Sequence, residues 1–371
     1  MFSQFKIVRL TAQIFVPGDF ELQRYAEAGL PMTQVDHADP ARIADAVRDA
    51  DIVSVIGTPM PRMVVDAMDK CRAIARFGTG TDKIDVARAT ERGIVVANTP
   101  YFCVEEQADH AMAMMLALNR KLAVMQHAME DGDLPRARRA TAMIPRMSAC
   151  TLGLVGFGRS AVHTARRARG FGTRVLACRQ NKGAPADEAV ALGVTMTDFD
   201  TVLRESDYVS LHVPLTPATR NMIDRAAIAK MKPGACLINT SRGLLVDEDA
   251  LGEALREGRL GGAGLDTFGQ INIFVDHIQP PVHPLVGLEN VILSPHVAGG
   301  SIQAKFDMMD SGIRNIKDIL SGRWPLAENI VNPTVLPRFG LRQREGNGEP
   351  TPHRVWNPVR GLEPCEGFGT L

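Results

Sequence analysis

Between residue 5 and about residue 93, short apolar bursts alternate with amphipathic stretches: KIVRL, then DADIVSVIG, then CRAIARFGTG, with ADPARIADAVRDA between the first two. Bursts rich in branched residues suit strands covered on both faces, so the alternation predicts βαβ units around a parallel sheet. Residues 104–123 (VEEQADHAMAMMLALNRKLA) place apolar positions at helical spacing behind an acidic first turn, predicting a long buried helix able to link two domains. A second series runs through TLGLVGFG, RVLACRQ, SDYVSLHVP, GACLINTS and GAGLDTF, with DEDALGEALREG as one of its helices. Five or so strands with crossover helices make a complete doubly wound unit, so the expected class is α/β with two doubly wound parallel sheets. After VILSPHVAGGS a helix is predicted over 302–320. From Pro337 the chain turns rich in Gly, Pro and Arg, and residues 337–371 are expected to form a poorly ordered tail.

Composition narrows the partners. At 371 residues, 45% of them apolar, the chain is long enough for two cores. Lys plus Arg equals Asp plus Glu at 42 each, which leaves no net field to draw nucleic acid, an anionic membrane or a polyanion. The expected ligand is therefore small. No apolar run approaches bilayer-spanning length, and polar residues interrupt the opening MFSQFKIVRLTAQIFV where a signal peptide would be continuous, so a cytoplasmic protein is expected. Cys71, Cys103, Cys150, Cys178, Cys236 and Cys365 are scattered, without CxxC or metal-ligand spacing, and read as reduced, mostly buried thiols with no metal.

One glycine-rich turn carries a ligand signature. Gly156-Phe157-Gly158-Arg159-Ser160-Ala161 follows the apolar TLGLV and leads into the helical AVHTARRARGFG. The first glycine permits the tight turn, the second lets a pyrophosphate reach backbone amides at a helix N-terminus, and a small third residue lets helix pack on strand. A dinucleotide is the expected ligand. Discrimination between NAD and NADP rests on the end of the next strand, RVLAC, which here runs into Arg179-Gln180-Asn181-Lys182. An acid there would hold a ribose hydroxyl; Arg179 and Lys182 suit a 2′-phosphate, which favours NADP over NAD. Stacking of Arg179 on adenine would leave NAD use open.

Six strings occur here in an order and spacing shared by one family: FGTGTDKID (77–85), GLVGFGRSA (153–161), HVPLTPATRNMI (212–223), INTSRGLLVDEDAL (238–251), GAGLDTF (262–268) and SPHVAGG (294–300). Over roughly residues 45–335 the chain thereby resembles the D-isomer-specific 2-hydroxyacid dehydrogenases. That family includes phosphoglycerate dehydrogenases, glyoxylate and hydroxypyruvate reductases, and formate dehydrogenases. The resemblance implies a flavodoxin-like substrate domain from residues 1–100 plus 300–336, a Rossmann coenzyme domain over 101–299 inserted in it, and a homodimer. It implies cofactor contacts from Thr79, Gly156, Gly158, Arg159, Ser160, Arg179, Val213, the Thr240 to Arg242 stretch, Asp266 and the segment from His296 to Gly299. Gly78, Thr79 and Gly80 would offer amides to a substrate carboxylate.

Hydride transfer to a 2-keto acid needs a cation that holds the carboxylate and polarises the ketone, and an acid that supplies a proton as alkoxide develops. Arg242 and His296 resemble these two groups. Arg242 follows the strand-like ACLINTS and presents a planar, permanently charged fork; His296 follows VILSP and titrates near neutrality. Without the flanking motifs either could be structural. His110, His163 and His277 are expected in core, helix-surface and loop roles, and His212 beside the adenine site, all non-catalytic.

The sequence departs from the family at one place. A glutamate usually stands 29 positions after the catalytic arginine and pairs with the histidine; here that position is Ile271. Losing the carboxylate should leave His296 less protonated near neutral pH and shift activity toward acid. Asp276 or Gln270 could substitute for it, as could the substrate. Two other readings share the fold: a cofactor-sensing, non-catalytic regulator of the corepressor type, and a formate dehydrogenase-like enzyme. Substrate choice rests on residues 58–62 and 101–104, where Met60 and Phe102 suggest an apolar pocket, or simply core.

Overall fold

The computed structural model describes residues 2–11, 17–181, 183–272, 274 and 282–343. Two sheets, all parallel, account for its strands. The first holds β1 (Ile7–Thr11), β2 (Met32–Asp36), β3 (Ile52–Val55), β4 (Ala73–Arg76) and β5 (Val95–Ala97), in the order β2-β1-β3-β4-β5. The second holds β6 (Thr151–Val155), β7 (Arg174–Cys178), β8 (Thr195–Met196), β9 (Tyr208–Leu211), β10 (Cys236–Asn239), β11 (Gly262–Leu265) and β12 (Val291–Leu293), in the order β12-β11-β10-β9-β6-β7-β8. Each order reverses once, between β1 and β3 and between β6 and β9. A reversal leaves a crevice at the carboxyl ends of the strands, where doubly wound folds bind ligands.

Burial on both faces explains the continuous apolar runs. In β1 and β3, Val8, Leu10, Val53 and Val55 face one core while Ile7 and Ile52 face the other, as alternation along a strand requires. The helix Ile302–Leu320 supplies Met309, Ile313 and Ile316 to that second core, so the chain returns to the first sheet after completing the second. The helix Val104–Asn119 covers the second sheet instead, packing Met112 and Met115 with Leu152 and Leu154.

Two expectations about elements change. The long helix stops at Asn119 rather than 123; the buried Asn119 side chain donates to Tyr208 Oη (2.9 Å) and the Pro145 carbonyl (3.2 Å). Lys121 then takes a left-handed conformation and a new helix runs Leu122–Glu130. The segment expected to be loose from Pro337 is held as far as Arg342. Arg338 donates to the Asp69 carbonyl at 2.7 Å, Phe339 packs on the same core as Met309 and Ile313, and the Arg342 carbonyl accepts from Trp324 at 3.1 Å. Residues 344–371, with Cys365, lie outside the described part. Among the described residues no helix is long and apolar enough to cross a membrane, and no cluster of His, Cys, Asp and Glu could hold a metal.

Candidate active site

The loop after β4 forms one wall of the cleft between the sheets. Gly78, at φ 125°, donates its amide to Thr99 Oγ1 at 2.7 Å; Asn98 Nδ2 donates to the Thr79 carbonyl at 2.7 Å, and Thr79 Oγ1 to the Pro100 carbonyl at 3.3 Å. The Arg76 guanidinium lies under the loop, donating to the Gly80 carbonyl at 2.8 Å and to that of Phe77.

Arg242 comes to the same loop from the other sheet, at the end of β10. Asn239 fixes its backbone: Nδ2 donates to the Arg242 carbonyl at 2.8 Å while Oδ1 accepts the Ser241 amide at 3.0 Å. Its Nε donates to Asp82 Oδ1 at 3.0 Å and Nη1 to the Ser241 carbonyl at 2.8 Å. A Cβ at Gly80 would sit 1.6 Å from Nη2, so only glycine there lets the guanidinium lie against the loop. The structure thus sets Arg242 against Gly80 of the loop that also carries Gly78 and Thr79.

His296 follows β12 at φ 60°, a left-handed conformation that a residue with a Cβ holds only when its surroundings impose it. Asp266, at the end of β11 and 1% exposed, imposes it. Its backbone carbonyl accepts the His296 amide at 2.8 Å; Oδ1 accepts Ser294 Oγ at 2.6 Å and the Val297 amide at 2.9 Å, and Oδ2 the Ala298 amide at 2.9 Å. The loop carrying His296 is therefore wrapped around one carboxylate. His110, expected to be core, reaches Ser294 Oγ with Nε2 at 2.9 Å and joins this network.

Charge in the cleft is mostly positive. Burial, followed by the neighbouring Arg242, lowers Arg76 to about 10. Burial alone would raise the Asp82 carboxyl, but the charge and hydrogen bond of Arg242 hold it below its ordinary value. Although His296 is open to the cleft, the protein around it and then Arg242, Arg76 and Lys83 lower its pKa, with Asp266 opposing them. Cys103, beside Gly299, is pushed up to about 12 by burial and so stays a thiol.

At the second sheet's switch point, Gly156 has φ 96°, and a Cβ there would meet the His212 carbonyl at 2.4 Å. A Cβ at Gly158 would meet nothing within 4 Å, which leaves open space at the start of the helix Arg159–Gly170, while Ala161 is fully buried under it. The Thr240 hydroxyl is buried and has no hydrogen-bond partner among the described residues, and Ser241 Oγ donates to the Val213 carbonyl at 2.5 Å. Ser160 Oγ lies 3.1 Å from His212 Nδ1, and the Arg159 guanidinium stacks 3.8 Å over the Tyr101 ring. Arg179 folds onto its own loop, donating to the Ala184 and Pro185 carbonyls; Lys182 lies outside the described residues.

Of the expected substitutes for the relay acid, only Gln270 falls among the described residues, and it is engaged elsewhere. Gln270 donates its side-chain amide to Asp249 at 3.1 Å, and Asp276 and His277 lie outside the described residues. Met60 is fully buried in the first core. Sequence reasoning missed Asp82, Lys83 and Phe274, which touch the site only through the fold. It also missed the buried pair of Glu248 and His283 (3.0 Å), where Glu248 accepts the Gly269 and Gln270 amides and so anchors the loop that leads to Phe274.

A sequence profile described as "D-isomer specific 2-hydroxyacid dehydrogenase, NAD binding domain" matches residues 112–298. A glyoxylate reductase of Korarchaeum cryptofilum is 39% identical over 305 residues, covering 81% of this chain and 89% of that protein. The structure of D-lactate dehydrogenase from Aquifex aeolicus, complexed with NAD and lactic acid, superposes with TM-score 0.78 at 27% identity, covering 88% of this chain and 98% of the other. The acyclic imino acid reductase Bsp5, in complex with NADPH and D-Arg, gives 0.75 at 26%, covering 88% and 99%.

Proposed function

Since the chain belongs to the D-isomer-specific 2-hydroxyacid dehydrogenase family, we propose that it is a nicotinamide-dependent oxidoreductase interconverting a small 2-keto acid and its 2-hydroxy acid. The observation that carries this reading is the meeting of Arg242, from the second sheet, with the Gly78–Gly80 loop and Asp82 of the first. A carboxylate entering there meets a planar fork from one side and loop amides from the other. His296 stands in the same electrostatic neighbourhood, held by Asp266, and serves as acid and base.

The residues present fit a dinucleotide. Open space over Gly158 lets phosphates approach the first turn of a 12-residue helix, and the Thr240 hydroxyl offers a buried partner. When bound, the nicotinamide supplies or takes up the hydride. Gly156, Gly158, Arg159, Ser160, Val213, Thr240 and Gly299 are the proposed contacts, with Thr79 reaching from the first sheet. Arg159 leaves Tyr101 to do so. Asp266 acts chiefly by holding the His296 loop. NADP is the proposed preference, because Arg179 brings a cation and no acid to the end of β7. The first sheet, with residues 1–100 and 300–336, would be the substrate domain, and 101–299 the coenzyme domain of a homodimer.

Loss of NADPH or NADH absorbance across 2-keto acids from glyoxylate and hydroxypyruvate to phenylpyruvate tests this directly. Turnover supports it; cofactor binding without turnover of any member supports the regulator instead, and formate-dependent reduction of cofactor the third reading.

A further inference from the structure

Neither ring nitrogen of His296 has a hydrogen-bond partner among the described residues. Its ring instead meets Phe274, with centroids 5.2 Å apart and planes at 56°. The Lys83 ammonium sits 3.9 Å from the centre of that same Phe274 ring and donates to the Gly57 carbonyl at 3.3 Å. Lys83 belongs to the loop after β4, whereas Phe274 and His296 follow β11 and β12, so the stack of ammonium, benzene ring and imidazole crosses the cleft between the sheets. Glu248, the carboxylate that holds the start of this loop, is occupied by the Gly269 and Gln270 amides and His283.

We propose that Phe274, capped by Lys83, is the positioning residue for His296, holding the imidazole by ring packing with no carboxylate of the described residues bonded to it, so that His296 accepts a proton more readily than it donates one. The idea rests on the function proposed above and adds a direction to it. In the oxidative sense, the hydroxyl O–H of the 2-hydroxy acid breaks and its proton passes to the neutral imidazole. The C2–H bond breaks with its electron pair leaving as hydride to oxidised nicotinamide, and C2=O forms. A neutral imidazole is ready for that step, whereas ketone reduction requires it to be charged beforehand.

The charged groups around the ring agree with this polarity. Arg242 from the end of β10, Arg76 from the end of β4 and Lys83 all oppose a proton on His296; Asp266 at the end of β11 favours one, but its carboxylate is bonded to Ser294 and two backbone amides. Asp82 is held by Arg242. A cation over an aromatic face also fixes the ring, since the ammonium is attracted to the negative π surface.

Titration of His296 in the full chain, read by NMR on carbon-13-labelled histidine and assigned with His296→Asn, is the test, alongside pH profiles of kcat/KM in both directions. The wild type is expected to titrate below the ordinary imidazole value of about 6.5. Phe274→Glu should raise the midpoint by about one unit or more and lower the ratio of oxidative to reductive kcat/KM at pH 7 about tenfold. Lys83→Met should raise it by less, and Phe274→Leu should slow both directions. A wild-type midpoint at or above 6.5, or one unmoved by Phe274→Glu in a folded protein, overturns the proposal. The NMR reading is independent of turnover, so failure of the enzyme assay with the expected titration counts against the function alone.

Discussion

Single residues carry the proposed chemistry, and their legibility depended on how local their surroundings are. Arg242 and His296 stand in strings whose neighbours fix their backbones, Asn239 for one and Asp266 for the other, so sequence alone pointed to them. Asp82, Lys83 and Phe274 gain their places only when two sheets meet, and nothing in FGTGTDKID or GQINIF announces that meeting. Arg179 belongs to the same scale. It is tied to the Ala184 and Pro185 carbonyls at the rim where a 2′-phosphate would lie. Arg179→Asp is expected to reduce the NADPH over NADH preference in kcat/KM by at least about tenfold, or ~1.4 kcal/mol; an unchanged ratio would place Arg179 outside the cofactor site.

Among elements, the strands buried on both faces were legible because their apolar runs are uninterrupted. KIVRL, DADIVSVIG and CRAIARFGTG became β1, β3 and β4, and the second series became β6, β7, β9, β10 and β11. Two edge strands were not: β2 is half exposed along its length and β8 is two residues long, so neither leaves a hydrophobic signature. The end of the helix Val104–Asn119 was misplaced because neither glycine nor proline marks the left-handed turn at Lys121 that follows it. The loop from Ser294 to Ala298 shows the converse, a segment without regular structure made rigid by one buried carboxylate. Asp266→Asn puts an amide where backbone N–H groups need an acceptor. It should cost about 2–4 kcal/mol in urea unfolding and lower kcat more than it weakens cofactor binding. A variant as stable and active as the wild type would remove Asp266 from its role.

At the scale of the whole molecule, two doubly wound sheets present their carboxyl edges to one cleft, joined across it by the Arg242–Asp82 pair and the Lys83–Phe274 contact. The α/β class and the dinucleotide turn were readable as periodicity and glycine spacing; the electrostatics of the cleft were not, because they sum charges from the ends of β4, β10 and β11. His212, enclosed between Ser160 and Ser210, is pushed down to about 4 by burial. Its folded pKa lies below its unfolded value, so its contribution to stability is fully present above pH ~6.5 and is lost as pH falls toward 4. The loss by pH 4 is at most about 3 kcal/mol, since His212 as a whole residue is only partly buried. Urea midpoints at pH 7 and 4.5 should therefore differ less in His212→Asn than in the wild type; an equal difference would mean that another group titrates.

The central claim is that Arg242 holds the carboxylate of a 2-keto acid beside a bound nicotinamide cofactor. Arg242→Ala, assayed with the wild type on the best substrate of the 2-keto acid panel while cofactor binding is followed by fluorescence, tests it most directly. The account predicts a loss of roughly a thousandfold in kcat/KM with cofactor affinity nearly unchanged. Retention of wild-type turnover, or a parallel collapse of cofactor binding in a folded variant, would contradict it.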